Sequence, residues 1–104
     1  MEKRTMDFGG RMNFSQALDD LKRGLKVARA GWNGKGMFLF YNPGSEVTVS
    51  EKRPLATAFA VGTSATMLPY IMMKVAGDKL CLVPWLASQT DILAEDWFTL
   101  TEPE

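Results

Sequence analysis

The sequence has no histidine and a single cysteine, Cys81, and neither sign of charge is in excess: twelve Lys and Arg face twelve Asp and Glu. Without histidine the commonest general base at neutral pH is missing, and with it His-based triads and His-containing metal sites. One cysteine excludes an intrachain disulfide and a thiolate-rich zinc site, and it suits a reducing compartment. Balanced charge and a pI near 6.3 lack the positive field on which sequence-independent binding to nucleic acid or an anionic membrane depends, so neither is expected as a partner. Long apolar runs are also missing. The longest, Met37 to Tyr41, is far below the roughly 20 residues of a spanning helix, and Met1 to Arg11 has no apolar segment of an export signal. A soluble cytoplasmic protein is the expectation.

What is present is a normal globular composition, 46% apolar over 104 residues, with three Trp, six Phe and two Tyr. That length fits one domain with a small core. Residues 1–11 are charged and aperiodic and read as a flexible leader before a single domain over 12–104. From Asn13 the pattern turns helical: Phe14, Ala17, Leu18, Leu21 and Leu25 form one apolar stripe opposite Asp19, Asp20, Lys22 and Arg23. Asn13 and Gln16 are spaced as a capping box, and Gly24 is placed to end the helix. Lys26–Arg29 and Met37–Tyr41 read as strands of a hairpin across the glycine-rich turn 31–36, stopped by Asn42-Pro43-Gly44. Val47 and Val49 alternate with polar residues, but 57–67 has no clear period. Residues 70–75 and 79–83 read as a second hairpin with its turn at 76–78. Ser88 and Asp91 are spaced as a capping box opening a short helix over 88–95, and 96–101 reads as a last strand. The fold class expected is α+β: an antiparallel sheet on one amphipathic N-terminal helix, with a short C-terminal helix between strands.

Two segments could carry recognition chemistry. In Gly31-Trp32-Asn33-Gly34-Lys35-Gly36 an indole sits in a turn with an amide and an ammonium beside it, which could present a stacking face to a planar ligand. Equally, Trp32 could fold back over the core edge. In Trp85-Leu86-Ala87-Ser88-Gln89-Thr90-Asp91 an aromatic precedes four hydrogen-bonding side chains at a helix start, suited to phosphates and sugar hydroxyls; capping alone accounts for Ser88 and Asp91, not for Gln89 and Thr90. Arg29 could reach an anion or stand solvated at its strand end. Asp91, Glu95 and Asp96 are too sparse for a metal or acid–base pair. Cys81, between Leu80 and Leu82, reads as an inert core residue, and Met67, Met72 and Met73 as adaptable packing. No nucleophile has a base, and no cofactor is expected.

Together, MNFSQALDDLKRG, GWNGKGMFLFY, PYIMMK and VPWLASQTDILAEDW resemble the phage anti-Thoeris sponge family, the second type of Thoeris anti-defence protein, over about Met12 to Leu100. The resemblance implies a cytoplasmic protein of infected bacteria that holds a cyclic ADP-ribose-type signal without degrading it, as a homotetramer with pockets between protomers. Some relatives take cyclic di- or trinucleotide signals of CBASS immunity, and that is the alternative, as is a phosphodiesterase acting on such a signal. On this resemblance Trp32 stacks on an adenine with Asn33 beside it. Ser88, Gln89, Thr90 and Asp91 meet phosphates and riboses, and Trp85 walls the pocket. Residues 1–11 extend beyond the usual start, and 45–66 varies between relatives.

Overall fold

A computed structural model describes residues 10–32, 36–52 and 54–100. Helix α1 (Phe14–Lys22) begins at Asn13, whose side chain accepts the Gln16 N–H at 2.9 Å while the Gln16 side chain accepts the Asn13 N–H at 3.0 Å. Both halves of the expected capping box are therefore made. At the other end Gly24 takes φ 91°. Its N–H reaches the Leu21 carbonyl at 2.9 Å and that of Leu25 reaches Asp20 at 3.0 Å, a paired closure that satisfies carbonyls the helix leaves open.

Strands β1 (Lys26–Arg29), β2 (Phe38–Asn42), β5 (Tyr70–Lys74), β6 (Leu82–Pro84) and β7 (Trp97–Leu100) form one antiparallel sheet in the order β6-β5-β2-β1-β7. Helix α2 (Gln89–Leu93) lies between β6 and β7 in the chain. The α+β architecture is the one expected, with a helix on one face of an antiparallel sheet. Alternation along the strands decides what that face buries. Val27, Leu39 and Trp97 point toward α1 and close a core with Ala17 and Leu21, all fully buried. Each such large side chain contributes roughly 1.5 to 3 kcal/mol.

The helix departs from the expected stripe at Asp20, which is buried rather than solvent-facing. Thr99 of β7 donates its hydroxyl to Asp20 Oδ2 at 2.6 Å, and Arg23 takes the other oxygen. A partner 79 positions away satisfies the carboxylate, so its burial costs little.

Between β2 and β5 the chain makes an arm. Strands β3 (Ser45–Thr48) and β4 (Ser64–Met67) pair only with each other, and a 3-10 turn (Pro54–Thr57) lies within their connection. The arm bends away at Gly44, φ 85°, whose N–H is held by the Asn42 side chain at 2.8 Å. A Cβ there would overlap the Met67 carbonyl oxygen, so the position admits only glycine.

The β5–β6 hairpin differs from the expected one. Its connection runs from Val75 to Cys81, closed by the Val75 N–H on the Cys81 carbonyl at 2.9 Å, and β6 starts only at Leu82. Cys81 is thus exposed, not a core residue, because it falls in the connection at a sheet edge rather than in a strand facing α1.

Candidate ligand-binding site

Arg29 ends β1 and is clamped by two carboxylates from the other end of the chain. Its Nε donates to Asp96 Oδ1 at 2.7 Å and its Nη1 to Asp91 Oδ1 at 2.8 Å; Nη2 stands 3.4 Å from Asp96 Oδ2. The Gly31 N–H adds a bond of 2.8 Å to Asp96 Oδ2. A side chain at Gly31 would come within 3.0 Å of Asp96 Oδ2 and 3.1 Å of Arg29 Nη2, so the pair would have to shift by a few tenths of an ångström to admit one. The fork geometry and charge make these strong bonds. The Arg29 guanidinium, hydrogen-bonded to Asp96 and then Asp91, is held above its ordinary pKa. The Asp96 carboxyl is held below the usual carboxylate range, chiefly by the Arg29 hydrogen bond. Arg29 is therefore neither a solvated strand end nor an uncommitted anion hook: its charge is matched within the chain.

The same Asp91 oxygen accepts the Trp32 Nε1–H at 3.1 Å, and the Asp91 backbone carbonyl accepts the Trp97 Nε1–H at 2.9 Å. Asp91 thereby joins α2 to the three-residue set Arg29, Trp32 and Trp97. The capping box expected at α2 is only half made. Ser88 Oγ accepts the Asp91 N–H at 3.0 Å, but the Asp91 carboxylate turns to the stronger charged donor on β1. The helix is also shorter than expected, Gln89–Leu93 rather than 88–95, with Ala94 already extended.

Trp32 meets Trp97 edge-on, with ring centroids 5.4 Å apart and planes at 79°. Trp85 meets Trp97 the same way at 6.1 Å, and Phe14 packs on both Trp85 and Trp97. Trp32 does fold onto the core edge, yet it stays half-buried and borders a hollow. That hollow, about 470 Å³, is also lined by Lys26, Ala28, Arg29, Phe38, Lys74 and Phe98. Its volume lies in the range of small-molecule sites.

Of the sequence candidates, Arg29, Trp32 and Asp91 come together in one network. Ser88, Gln89 and Thr90 are exposed on the first turn of α2, beside that network in the chain. Trp85 also packs on Trp97 but fronts a different, shallower depression with Phe14, Tyr41 and Ala87. Asn33 lies outside the described residues. Sequence reading missed Asp96 as the partner of Arg29, and it missed the lysines and phenylalanines of the hollow. The two-residue alternation of β1, β2 and β7 contained the signal for the latter: Lys26, Phe38 and Phe98 lie out of phase with the buried Val27, Leu39 and Trp97.

Fold and site define a two-layer α+β domain organised around a clamped arginine, a tryptophan cluster and a cationic, aromatic hollow. The chain belongs to the Thoeris anti-defense 2-like domain family, whose model matches residues 12–100. It is 39% identical over 92 residues to Thoeris anti-defense 2 of Bacillus phage SP01, a match covering 84% of this chain and 92% of that protein.

Proposed function

We propose that the protein blocks Thoeris immunity by binding a cyclic ADP-ribose-type nucleotide and withholding it intact from its receptor. The observation that carries this reading is Trp32, an indole fixed by Asp91 and Trp97 at the rim of a hollow with cationic and aromatic walls. A ring immobilised before the ligand arrives loses little freedom on stacking, which favours affinity. In this reading Trp32 stacks on the adenine with Asn33 beside it, Gln89, Thr90 and Ser88 meet ribose hydroxyls, and Asp91 and Arg29 hold the indole in place.

Stacking one base supplies roughly 1 to 3 kcal/mol, whereas nanomolar capture needs about 12 kcal/mol. Enclosure and charge must provide the difference. One protomer leaves the hollow open, so the proposal includes a homo-oligomer, a tetramer, whose subunits close the sites over one another. Exposed Leu68, Leu80, Leu86 and Leu93 are available to bury in such contacts.

The test is calorimetry on the whole chain with cyclic ADP-ribose isomers and with cyclic di- and trinucleotides, followed by heat denaturation and analysis of the released ligand. Tight binding of a cyclic ADP-ribose isomer with intact release supports sequestration. Preference for cyclic oligonucleotides would favour a CBASS signal instead, degraded product would make the protein an enzyme, and no binding at micromolar protein would end the proposal.

A further inference from the structure

The sheet face turned away from α1 has an unusual residue order. Across the strands one row reads Lys74, Phe38, Ala28, Phe98: Lys74 pairs with Phe38, Ala28 pairs with Phe98, and the Val27–Leu39 register sets Ala28 beside Phe38. The next row contains Met72, Phe40, Lys26 and Leu100 by the same registers. Phe38 and Phe98 thus flank the strand that offers only a methyl group, and at the usual strand spacing their backbones are about 10 Å apart. Ala28 is the floor of the hollow and the two phenyl rings are its walls.

Cations gather on these rings. The Lys26 ammonium lies over the Phe38 ring, 4.8 Å from its centroid, and the Arg11 guanidinium stands 5.9 Å from that of Phe98. Lys74 borders the hollow at the end of the first row, and its ammonium reaches the Val75 carbonyl at a long 3.3 Å. An ammonium has three donors. Gly36, φ 81°, lies beside it: a Cβ there would stand 3.4 Å from Lys74 Nζ, in ordinary contact. Arg29 borders the same hollow but is committed to Asp91 and Asp96.

We propose that Lys74 and Lys26 are the anion-binding end of this hollow, and that they take the diphosphate of a nucleotide whose base lies at Trp32. The proposal rests on the sequestration reading for the identity of the signal and deepens it: the charge-bearing part of the ligand is met on the open sheet face. The end of α2 is less suited, since the Asp91 and Asp96 carboxylates stand there. The competing structural roles for the lysines are to cover apolar surface with their aliphatic stems and, for Lys26, to hold its charge against the Phe38 ring; neither role makes the affinity for a diphosphate depend on salt.

The experiment compares Lys74→Met, Lys26→Met and Lys74→Arg with the wild-type chain, using calorimetry with cyclic ADP-ribose, ADP-ribose and adenosine at low and high salt. Methionine keeps the apolar stem and removes the charge. Each Met variant is expected to weaken the diphosphate ligands about tenfold and flatten their salt dependence and to leave adenosine unchanged, while Lys74→Arg is expected to stay near wild type. Wild-type affinity of both Met variants for the diphosphates would overturn the assignment while leaving sequestration intact. If the wild-type chain binds no nucleotide, the sequestration reading fails. The lysines are then judged with inorganic pyrophosphate by NMR: shifts confined to the amides of Lys26, Ala28, Phe38 and Lys74 uphold an anion site, and their absence overturns it.

Discussion

A single oxygen, Asp91 Oδ1, receives both the Arg29 guanidinium and the Trp32 indole N–H, so an ion pair helps to set the position of the Trp32 ring. Trp32→Phe keeps an aromatic surface and loses the bond to Asp91, whereas Trp32→Ala loses both. In calorimetry with the nucleotide signal the alanine variant is expected to lose at least 1 to 3 kcal/mol of binding, about 5- to 150-fold, and the phenylalanine variant to fall between. Asp96 gives a pH test. Its folded pKa lies below the ordinary value, so at low pH the unfolded chain binds the proton more readily. The stabilisation it contributes is complete above the usual carboxylate range and disappears as pH falls through the lowered folded value. Asp96→Asn should cost about 1 to 2 kcal/mol at neutral pH and flatten the acid limb of stability, read from denaturant midpoints between pH 6 and pH 2.5. Cys81, exposed in its connection, should react with a thiol reagent in the native protein as fast as in denaturant. A protected thiol would contradict the β5–β6 geometry.

At the scale of elements, what the sequence disclosed and what it hid divide by sequence distance. Helix α1 was readable because its signals are local: cap, stripe and terminating glycine lie within 12 residues of one another. The β1–β2 hairpin was readable for the same reason. Asp20 was misread because its partner, Thr99, comes from β7, and the Ser88–Asp91 box was misread because a guanidinium 62 residues earlier outcompetes it. Trp32, Arg29 and Asp91 were each singled out by type and place, but their joining is a product of the β1–β7 register that no local pattern contains. The β3–β4 arm had weak signals, since its strands pair mainly on backbone and bury little beyond Val49. Its junction is nonetheless exacting. Gly44→Ala combines a left-handed φ with a clash on the Met67 carbonyl, and it should destabilise by about 2 kcal/mol or more, measured by chemical denaturation.

At the scale of the whole molecule, α1 covers one face of the sheet, and among the described residues no helix or strand covers the other, where the hollow lies. Subunit association and ligand capture are then expected to be linked: sedimentation or light scattering should show the ligand favouring the oligomer, by the ordinary mass-action rule that a ligand stabilises the state that binds it. The edges of the sheet determine how copies can meet. At one border β7 exchanges two backbone hydrogen bonds with Met12, from Met12 N–H to the Trp97 carbonyl at 2.8 Å and back at 3.1 Å. At the other border β6 is only three residues long and finishes in Pro84, which has no N–H to give. Among the described residues, Met12 therefore covers part of one border, and the shortness and proline of β6 weaken the other as a template for a further strand. In the oligomer proposed above, copies are then expected to meet through side chains more than through shared backbone hydrogen bonds, an arrangement that favours closed assemblies of a few copies over fibres.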